Sequence, residues 1–449
     1  MSGAAVTALI TVIVTFLVLL AIRFHVGLSL MLAGMVGVVM LRSTNAAIST
    51  GANSPFSSAA DFSLVIIPLF ILMGIFAVKS GLAQAGFDIA SRLLRKLPGG
   101  AALASLAGSG LFAAVTGSSV ATVATLARVS TDAIVKAGHS VKLAAGVVSA
   151  GGTLGVLIPP SIVLVLYGVV TEESIGQLLL AGIGPGLVTI LAYGVTIILL
   201  VLRERKKTAN TDDPPIKREE AAAKEASKIK ADWMGGAYLV VIFGVSIGTI
   251  YAGVATPTEA ASFGALAALI ILILRTRFSK LLGALKESLI ESIGLTSMTF
   301  LLLAGAGVFT YFLALSGASS ALVNAVISAD LGPYVVLALC LAILIPMGMF
   351  LDGISMILIA APLLHPILTS YGFDAIWLGV LIVKVAEMAL ITPPVGMNAF
   401  VYSGTVKEVG LGTTFRGIVP FILADLIVVA ILIIFPDIVT FIPNLSGAN

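Results

Sequence analysis

Apolar residues run along this chain in long blocks from Ala4 almost to Ile442, broken by short clusters of glycine, proline and charge. A hydrocarbon core roughly 30 Å thick takes about 20 apolar residues per helical crossing, so the pattern predicts one membrane helix after another. The first block, Ala4 to Ile22, has no basic stretch ahead of it and no small-residue cleavage site behind it. It reads as a retained helix. One long polar segment, Arg203 to Asp232, divides the chain nearly in half. It mixes both charge signs, has Pro214 and Pro215 early, and carries an Ala/Glu/Lys-rich second part that favours helix. With no aromatic residue in it, it reads as a solvated linker.

The two halves repeat. Sliding the second back by 234 positions lays Thr392-Pro393-Pro394 on Ile158-Pro159-Pro160, Tyr238 to Thr256 on Ala4 to Ile22, Met298 to Phe312 on Leu64 to Val78, and Gly372 on Gly138. After one inserted residue, Gly417-Ile418-Val419-Pro420 falls on Gly182-Ile183-Gly184-Pro185. Apolar sequence resembles itself easily, but paired Pro-Pro and glycine positions are harder to obtain by accident. The chain therefore divides into a first repeat at 1–202, the linker at 203–232, and a second repeat at 233–449.

Each half reads as three apolar helices, an amphipathic stretch, a glycine-interrupted segment, a helix broken by Pro-Pro, and a last plain helix. The interrupted segments are Ala101 to Lys136, broken at Thr116-Gly117-Ser118-Ser119, and Pro333 to Pro366, broken around Gly348 to Gly353. Both are long enough for two half-crossings that turn back inside the membrane. The broken helices are Leu143 to Tyr167 and Trp377 to Tyr402, where prolines remove amide donors and leave backbone carbonyls free. Lys79 to Lys96 and Ser279 to Ile293 are amphipathic and suit arms lying at the cytoplasmic interface.

If the interrupted segments are re-entrant, each half crosses five times and the second half is inverted on the first. With the linker in the cytoplasm, every Lys and Arg except Arg42, Arg128 and Lys384 falls on the cytoplasmic side, as the positive-inside bias requires. Both termini fall outside. Full crossings would destroy this asymmetry. The predicted fold is an all-α polytopic membrane protein of two inverted-topology repeats with re-entrant helical hairpins and broken helices.

Composition agrees: 59% of the 449 residues are hydrophobic and 10% charged, against roughly 25% charged in soluble domains. The balance of 25 Lys+Arg to 22 Asp+Glu, a net charge of +3, gives no basis for nucleic-acid binding. A lone Cys340 forms no internal disulfide, and His25, His139 and His365 are too scattered for a metal site.

Inverted repeats with discontinuous helices place substrate and coupling-ion sites near the bilayer midplane, with helix N-termini facing anions and unwound carbonyls facing cations. The four discontinuities form two sets, the Thr116 to Ser119 tip with the Gly151 to Ser161 break, and the Gly348 to Gly353 tip with the Thr392 to Asn398 break. Each set can cradle one cation in carbonyl and hydroxyl oxygens, which suits an alkali ion better than a transition metal. Ser118, Ser119, Asp352, Lys384 and Asn398 are the polar candidates for contacting substrate. Asp352, at the second tip, is the sharpest, because an ionisable group in hydrocarbon costs at least about 2.5 to 3.5 kcal/mol; its plainer role is a helix cap. Lys384 and Glu387 lie three apart and read first as a neutralising pair; the functional reading has Lys384 attract a substrate carboxylate. Arg128 divides between an anion contact and snorkelling to the cytoplasmic face. Thr256-Pro257-Thr258-Glu259 reads as a helix start.

In chain order these features resemble the DctM-like large membrane subunit of the tripartite ATP-independent periplasmic (TRAP) transporters, over nearly the whole chain. The resemblance rests on Ile67 to Gly74, Ala114 to Ala121, Gly155 to Ser161, Ala181 to Gly186, Thr256 to Ala261 and Leu390 to Asn398. It implies an elevator-type secondary transporter of the bacterial inner membrane, driven by sodium, that imports an organic acid such as a carboxylate or sugar acid. It also implies two partners, a small four-helix membrane subunit and a periplasmic substrate-binding protein. The family's sodium sites, carried over by motif, fall on Thr116, Gly155, Ile158 and Pro159 and on Gly348, Ala389, Thr392 and Val395. The 234-residue shift pairs Gly155 with Ala389 and Ile158 with Thr392. The resemblance implies no organic cofactor. The alternative is a single-component sodium-coupled carboxylate symporter of related architecture. No His-Glu-x-x-His, paired catalytic aspartates or Ser-His arrangement supports a membrane enzyme, and occluding hairpins suit alternating access better than a channel.

Overall fold

The computed structural model describes residues 2–208, Glu219, Ala221, Lys224 and residues 231–446, and every regular element among the described residues is helical. In the second part of the linker, where a helix is expected, the described residues Glu219, Ala221 and Lys224 are helical, and the rest of that part lies outside the described residues. In the first half, α1 (Gly3–Ala21), α2 (Val26–Leu41), α3 (Thr44–Ala59), α4 (Ile66–Lys79) and α5 (Leu82–Leu94) precede a hairpin of α6 (Gly100–Thr116) and α7 (Ser119–Lys136). A broken helix follows, α8 (Val141–Gly152), α9 (Leu154–Leu157) and α10 (Ile162–Thr171), and then α11 (Ile175–Ala181) and α12 (Ile183–Thr208). The second half runs α13 (Trp233–Tyr251), α14 (Pro257–Arg275), α15 (Phe278–Ser316) and α16 (Ala318–Ser328) into its own hairpin, α17 (Pro333–Met347) and α18 (Gly353–Ser370). Its broken helix is α19 (Ala375–Ala389) and α20 (Met397–Thr405), closed by α21 (Leu411–Ile434) and α22 (Asp437–Leu445).

The 234-residue offset recurs in these boundaries. Hairpin arms α7 and α18 begin at Ser119 and Gly353 and end at Lys136 and Ser370, each pair 234 apart. Gly138 and Gly372, just beyond those ends, both take positive φ, +89° and +83°, where a Cβ would be strained. Pro159-Pro160 and Pro393-Pro394 are both cis.

Among the described residues eight helices are long and apolar enough to cross a bilayer, or nine if Val141–Leu157 and Ile162–Thr171, bent by 44°, count as one span. One of the eight, α18, is the second arm of a hairpin, so length and hydropathy do not separate a crossing from a re-entrant arm. The 16 residues of α2 span only about 24 Å, yet the helix packs along α15.

Lipid is as apolar as leucine, so membrane helices associate through close packing at small residues. A Cβ at Gly305 of α15 would fall 1.9 Å from the Gly27 carbonyl oxygen of α2, and one at Gly417 of α21 would fall 2.1 Å from the Lys142 carbonyl oxygen of α8. Two packed groups result. The scaffold gathers α1 to α4 against α13 to α15; the other group packs both hairpins around both broken helices, with α12 and α21 behind them.

The amphipathic arms differ from the sequence expectation. Lys79 to Lys96 does contain a separate helix, α5, but Ser279 to Ile293 is absorbed into the 39-residue α15. By offset its counterpart is α3, and that of α5 is α16. The first half breaks here because Asp61 accepts the Ser63 amide at 2.7 Å and starts a new turn; the equivalent Leu295 has no such acceptor. Thr256-Pro257-Thr258-Glu259 forms a capping box, with the Thr256 amide donating to Glu259 at 2.8 Å and the Glu259 amide to Thr256 at 3.3 Å.

Candidate transport site

The first hairpin turns because Gly117 adopts φ +60°, after which the Ser118 hydroxyl accepts the Ala121 amide at 3.3 Å and starts α7. The second turns between Gly348 and Asp352. Asp352 occupies the cap position of α18, but its side chain caps no backbone amide; it accepts the Ser355 hydroxyl instead.

Both tips open on one cavity of about 320 Å³. One wall carries Ser118, Ser119, Asp352, Gly353 and Glu387; the other is scaffold, with Ile75 and Lys79 of α4 and Glu291 and Leu295 of α15. Glu387 is 1% exposed and accepts the Ser119 hydroxyl. Gly353 makes room for it, since a Cβ there would lie 2.9 Å from Glu387 Oε1. Lys79 is held by Glu287 at 3.0 Å and Glu291 at 3.6 Å.

Three of the five sequence-selected substrate candidates, Ser118, Ser119 and Asp352, line the cavity, and two do not. Lys384 is buried away from it, and its ammonium lies 2.5 Å from Asp425 and 5.6 Å from the centre of the Tyr193 ring. The expected pairing with Glu387 is thus replaced: one helical turn separates the two side chains, and each finds a closer partner on another helix. Asn398 is also fully buried, donating to the Ser149 carbonyl at 3.3 Å, with its own side-chain oxygen unpartnered. Arg128 donates to the Thr405 carbonyl at 3.1 Å, tying α7 to the end of α20 rather than facing the cavity.

The residues carried over as sodium ligands fall at two matched junctions. Gly155 meets α6, where its Cβ would stand 2.7 Å from Ala113 Cβ; Gly348 meets α19, where its Cβ would stand 2.3 Å from Ala389 Cβ. Each junction pairs one glycine with one alanine, on opposite elements in the two halves. Prolines 159 and 393 stand four residues after Gly155 and Ala389 and have no amide, so both carbonyls lose their α-helical donor. The Ala389 carbonyl takes the Thr392 amide instead, at 3.1 Å, and Ile158 is extended beside Pro159. Thr392 donates its hydroxyl to the Met388 carbonyl at 2.7 Å. Thr116 ends α6, and Val395 lies in the turn between α19 and α20.

Sequence reasoning left out Asp425 and Tyr193. The Tyr193 hydroxyl donates to Asp425 at 2.8 Å and lies 3.2 Å from Thr153, linking α12, α21 and the first broken helix. Asp425 carried a usable signal, a lone carboxylate inside an apolar helix.

A solute-sized cavity between paired hairpins and a helical scaffold, in a multi-pass membrane protein, belongs to a membrane transport protein. The chain belongs to the family of the tripartite ATP-independent periplasmic transporter, DctM component, whose family model matches residues 13–438. It is 36% identical over 393 residues to the C4-dicarboxylate TRAP transporter large permease protein DctM of Pseudomonas aeruginosa, covering 88% of this chain and 87% of that one. It is 28% identical over 436 residues to the sialic acid TRAP transporter permease protein SiaT of Haemophilus influenzae, covering 96% and 68% respectively. Among solved structures, the Alcanivorax borkumensis YdaH transporter shares the fold, with a TM-score of 0.57 at 16% identity, covering 87% of this chain and 89% of that one.

Proposed function

We propose that this protein is the large membrane subunit of a sodium-coupled TRAP transporter that imports an organic acid into a bacterial cell by an elevator movement. A small four-helix membrane subunit and a periplasmic substrate-binding protein complete the system. The observation that carries the reading is the cavity enclosed by both hairpin tips on one side and scaffold helices α4 and α15 on the other. Substrate held there moves with the hairpins and broken helices as a body, while the scaffold stays fixed in the bilayer. In this reading the halves are inverted on each other, the linker is cytoplasmic and both termini are periplasmic.

Sodium binds at the two junctions, the first formed by Thr116, Gly155, Ile158 and Pro159 and the second by Gly348, Ala389, Thr392 and Val395. Small residues bring the backbones together, and Pro159 and Pro393 withhold the α-helical amide donor from the Gly155 and Ala389 carbonyls at these points. Filling a junction tightens the adjacent hairpin tip, which couples the ion to the substrate. Binding-protein delivery and the relatives' names point to a carboxylate or sugar acid as cargo.

The test is uptake of labelled organic acids into proteoliposomes holding this chain and its small partner, with and without an inward sodium gradient and the cognate binding protein. Uptake that needs both supports the reading. Sodium-driven uptake without the binding protein favours a single-component symporter, and uptake indifferent to sodium removes the coupling assignment.

A further inference from the structure

The two walls of the cavity differ in what moves. Under the elevator reading, Asp352 and Glu387 travel with the cargo and face it at either end of the stroke, so neither makes one end bind it differently from the other. A conformational equilibrium responds only to interactions that differ between its states. The groups that differ are those of the fixed scaffold wall, which the tips meet in one position and leave in the other.

That wall is charged at one end only. Ile75 and Lys79 face the cavity along α4, and Glu291, Leu295 and Thr299 along α15, four residues apart and so on one helical face in each case. Lys79 is the last residue of α4 and its only charged one, and α15 carries no charge from Ser292 to its end at Ser316. In the proposed orientation Lys79 and Glu291 both stand at the cytoplasmic end.

Lys79 is the one cationic side chain lining the cavity among the described residues, and its ammonium lies 3.0 Å from Glu287 and 3.6 Å from Glu291. Two carboxylates share one ammonium, so the cluster keeps a negative charge. Glu287 holds the ammonium more closely and does not line the cavity. Glu291, the less neutralised of the two, does, with a side chain that is half exposed.

We propose that Glu291 is a release residue, a fixed carboxylate that weakens binding of an anionic cargo by like-charge repulsion at the cytoplasmic end of the stroke and not at the periplasmic end, with Lys79 moderating its strength. The proposal rests on the transport reading above and adds to it a difference in affinity between the two ends. Cargo is loosened where it has to leave, and product accumulated in the cytoplasm rebinds poorly.

The test uses proteoliposomes holding this chain and its small partner, with the binding protein outside to select one orientation. Initial uptake of labelled succinate or N-acetylneuraminate, whichever is carried, is measured against increasing unlabelled acid sealed inside. The internal concentration that halves uptake is expected to fall by about two- to fivefold in Glu291→Gln, the range of a half-exposed charge interaction, and to rise in Lys79→Gln. External half-saturation is expected to stay unchanged in both. Lost folding lowers uptake in either variant but does not move inhibition in opposite directions. Unchanged inhibition, shifts of the same sign, or an equal shift in external half-saturation overturns the proposal and leaves the transport reading standing.

The same charge is read without cargo at Leu295→Cys, in a chain whose own Cys340 is buried, using methanethiosulfonates of similar size bearing a sulfonate or a trimethylammonium. The ratio of anionic to cationic labelling is expected to rise with Glu291→Gln and fall with Lys79→Gln. A ratio that neither substitution alters overturns the proposal. A thiol that neither reagent reaches removes the cavity itself, and with it the transport-site reading.

Discussion

Replacing Lys384 by methionine tests how the hairpin-and-broken-helix group is held together. The Lys384 and Asp425 side chains are 1% and 0% exposed and 2.5 Å apart, joining α19 to α21. In water two unit charges attract weakly, but removing one partner of a buried pair leaves the other charged and unsolvated, at a cost of about 3 to 5 kcal/mol. After Lys384→Met, the Asp425 carboxylate keeps only the Tyr193 hydroxyl at 2.8 Å, a bond to a charged group worth roughly 1.5 to 3 kcal/mol. Tyr193→Phe should therefore destabilise less than Lys384→Met. The double variant Lys384→Met/Asp425→Asn should recover much of the loss, because no buried charge remains. Reversible unfolding in mixed micelles, followed for Lys384→Met, Asp425→Asn and the pair, measures each term and the coupling between them. A Lys384→Met protein within about 1 kcal/mol of the parent, the range of an exposed pair, would refute the buried-pair account.

Three further outcomes follow from particular contacts. His139, between α7 and α8, lies 3.5 Å from Glu204 and 2.8 Å from Glu219; burial opposes its charge, but the two carboxylates outweigh it and push its pKa up to about 9. With an unfolded value near 6.5, the folded-state gain is fully present below about pH 6.5 and is lost as pH rises through about 9. The stability gap between the parent and His139→Gln should close over that window, and a gap constant to pH 10 would contradict the assignment. Thr256→Ala removes one half of the α14 capping box and should cost about 1 kcal/mol, read by thermal unfolding, whereas Thr258→Ala should cost less. Gly348→Ala drives a methyl to 2.3 Å from Ala389 Cβ and should weaken the apparent sodium affinity of uptake more than Gly372→Ala, which meets open space but at strained φ; equal sodium dependence in both would remove the second junction from the coupling mechanism.

The architecture was legible where backbone chemistry marks the sequence. Pro159-Pro160 and Pro393-Pro394 announced the broken helices, Gly117 announced a tip, and Gly138 with Gly372 fixed the repeat, because such residues act on their own backbone whatever surrounds them. The continuity of α15 was not legible, since only the missing acceptor at Leu295 distinguishes it from the break at Asp61. The candidate site was half legible. Serines and aspartate at the tips came from the hairpin pattern, but the exchange of partners that gives Lys384 to Asp425 and Glu387 to Ser119 depends on helices brought together across 41 and 268 residues. Spacing along one helix gives no access to that choice.

In the proposed elevator movement the hairpins shift against the scaffold with the cavity between them. Ile75 on α4 and Val120 on α7 both line that cavity, so the double variant Ile75→Cys/Val120→Cys can be bridged across it by a cleavable bifunctional thiol reagent. Sodium-driven uptake in the reconstituted three-component system should stop when the bridge forms and return when it is cleaved. Undiminished uptake by fully bridged protein would contradict the account.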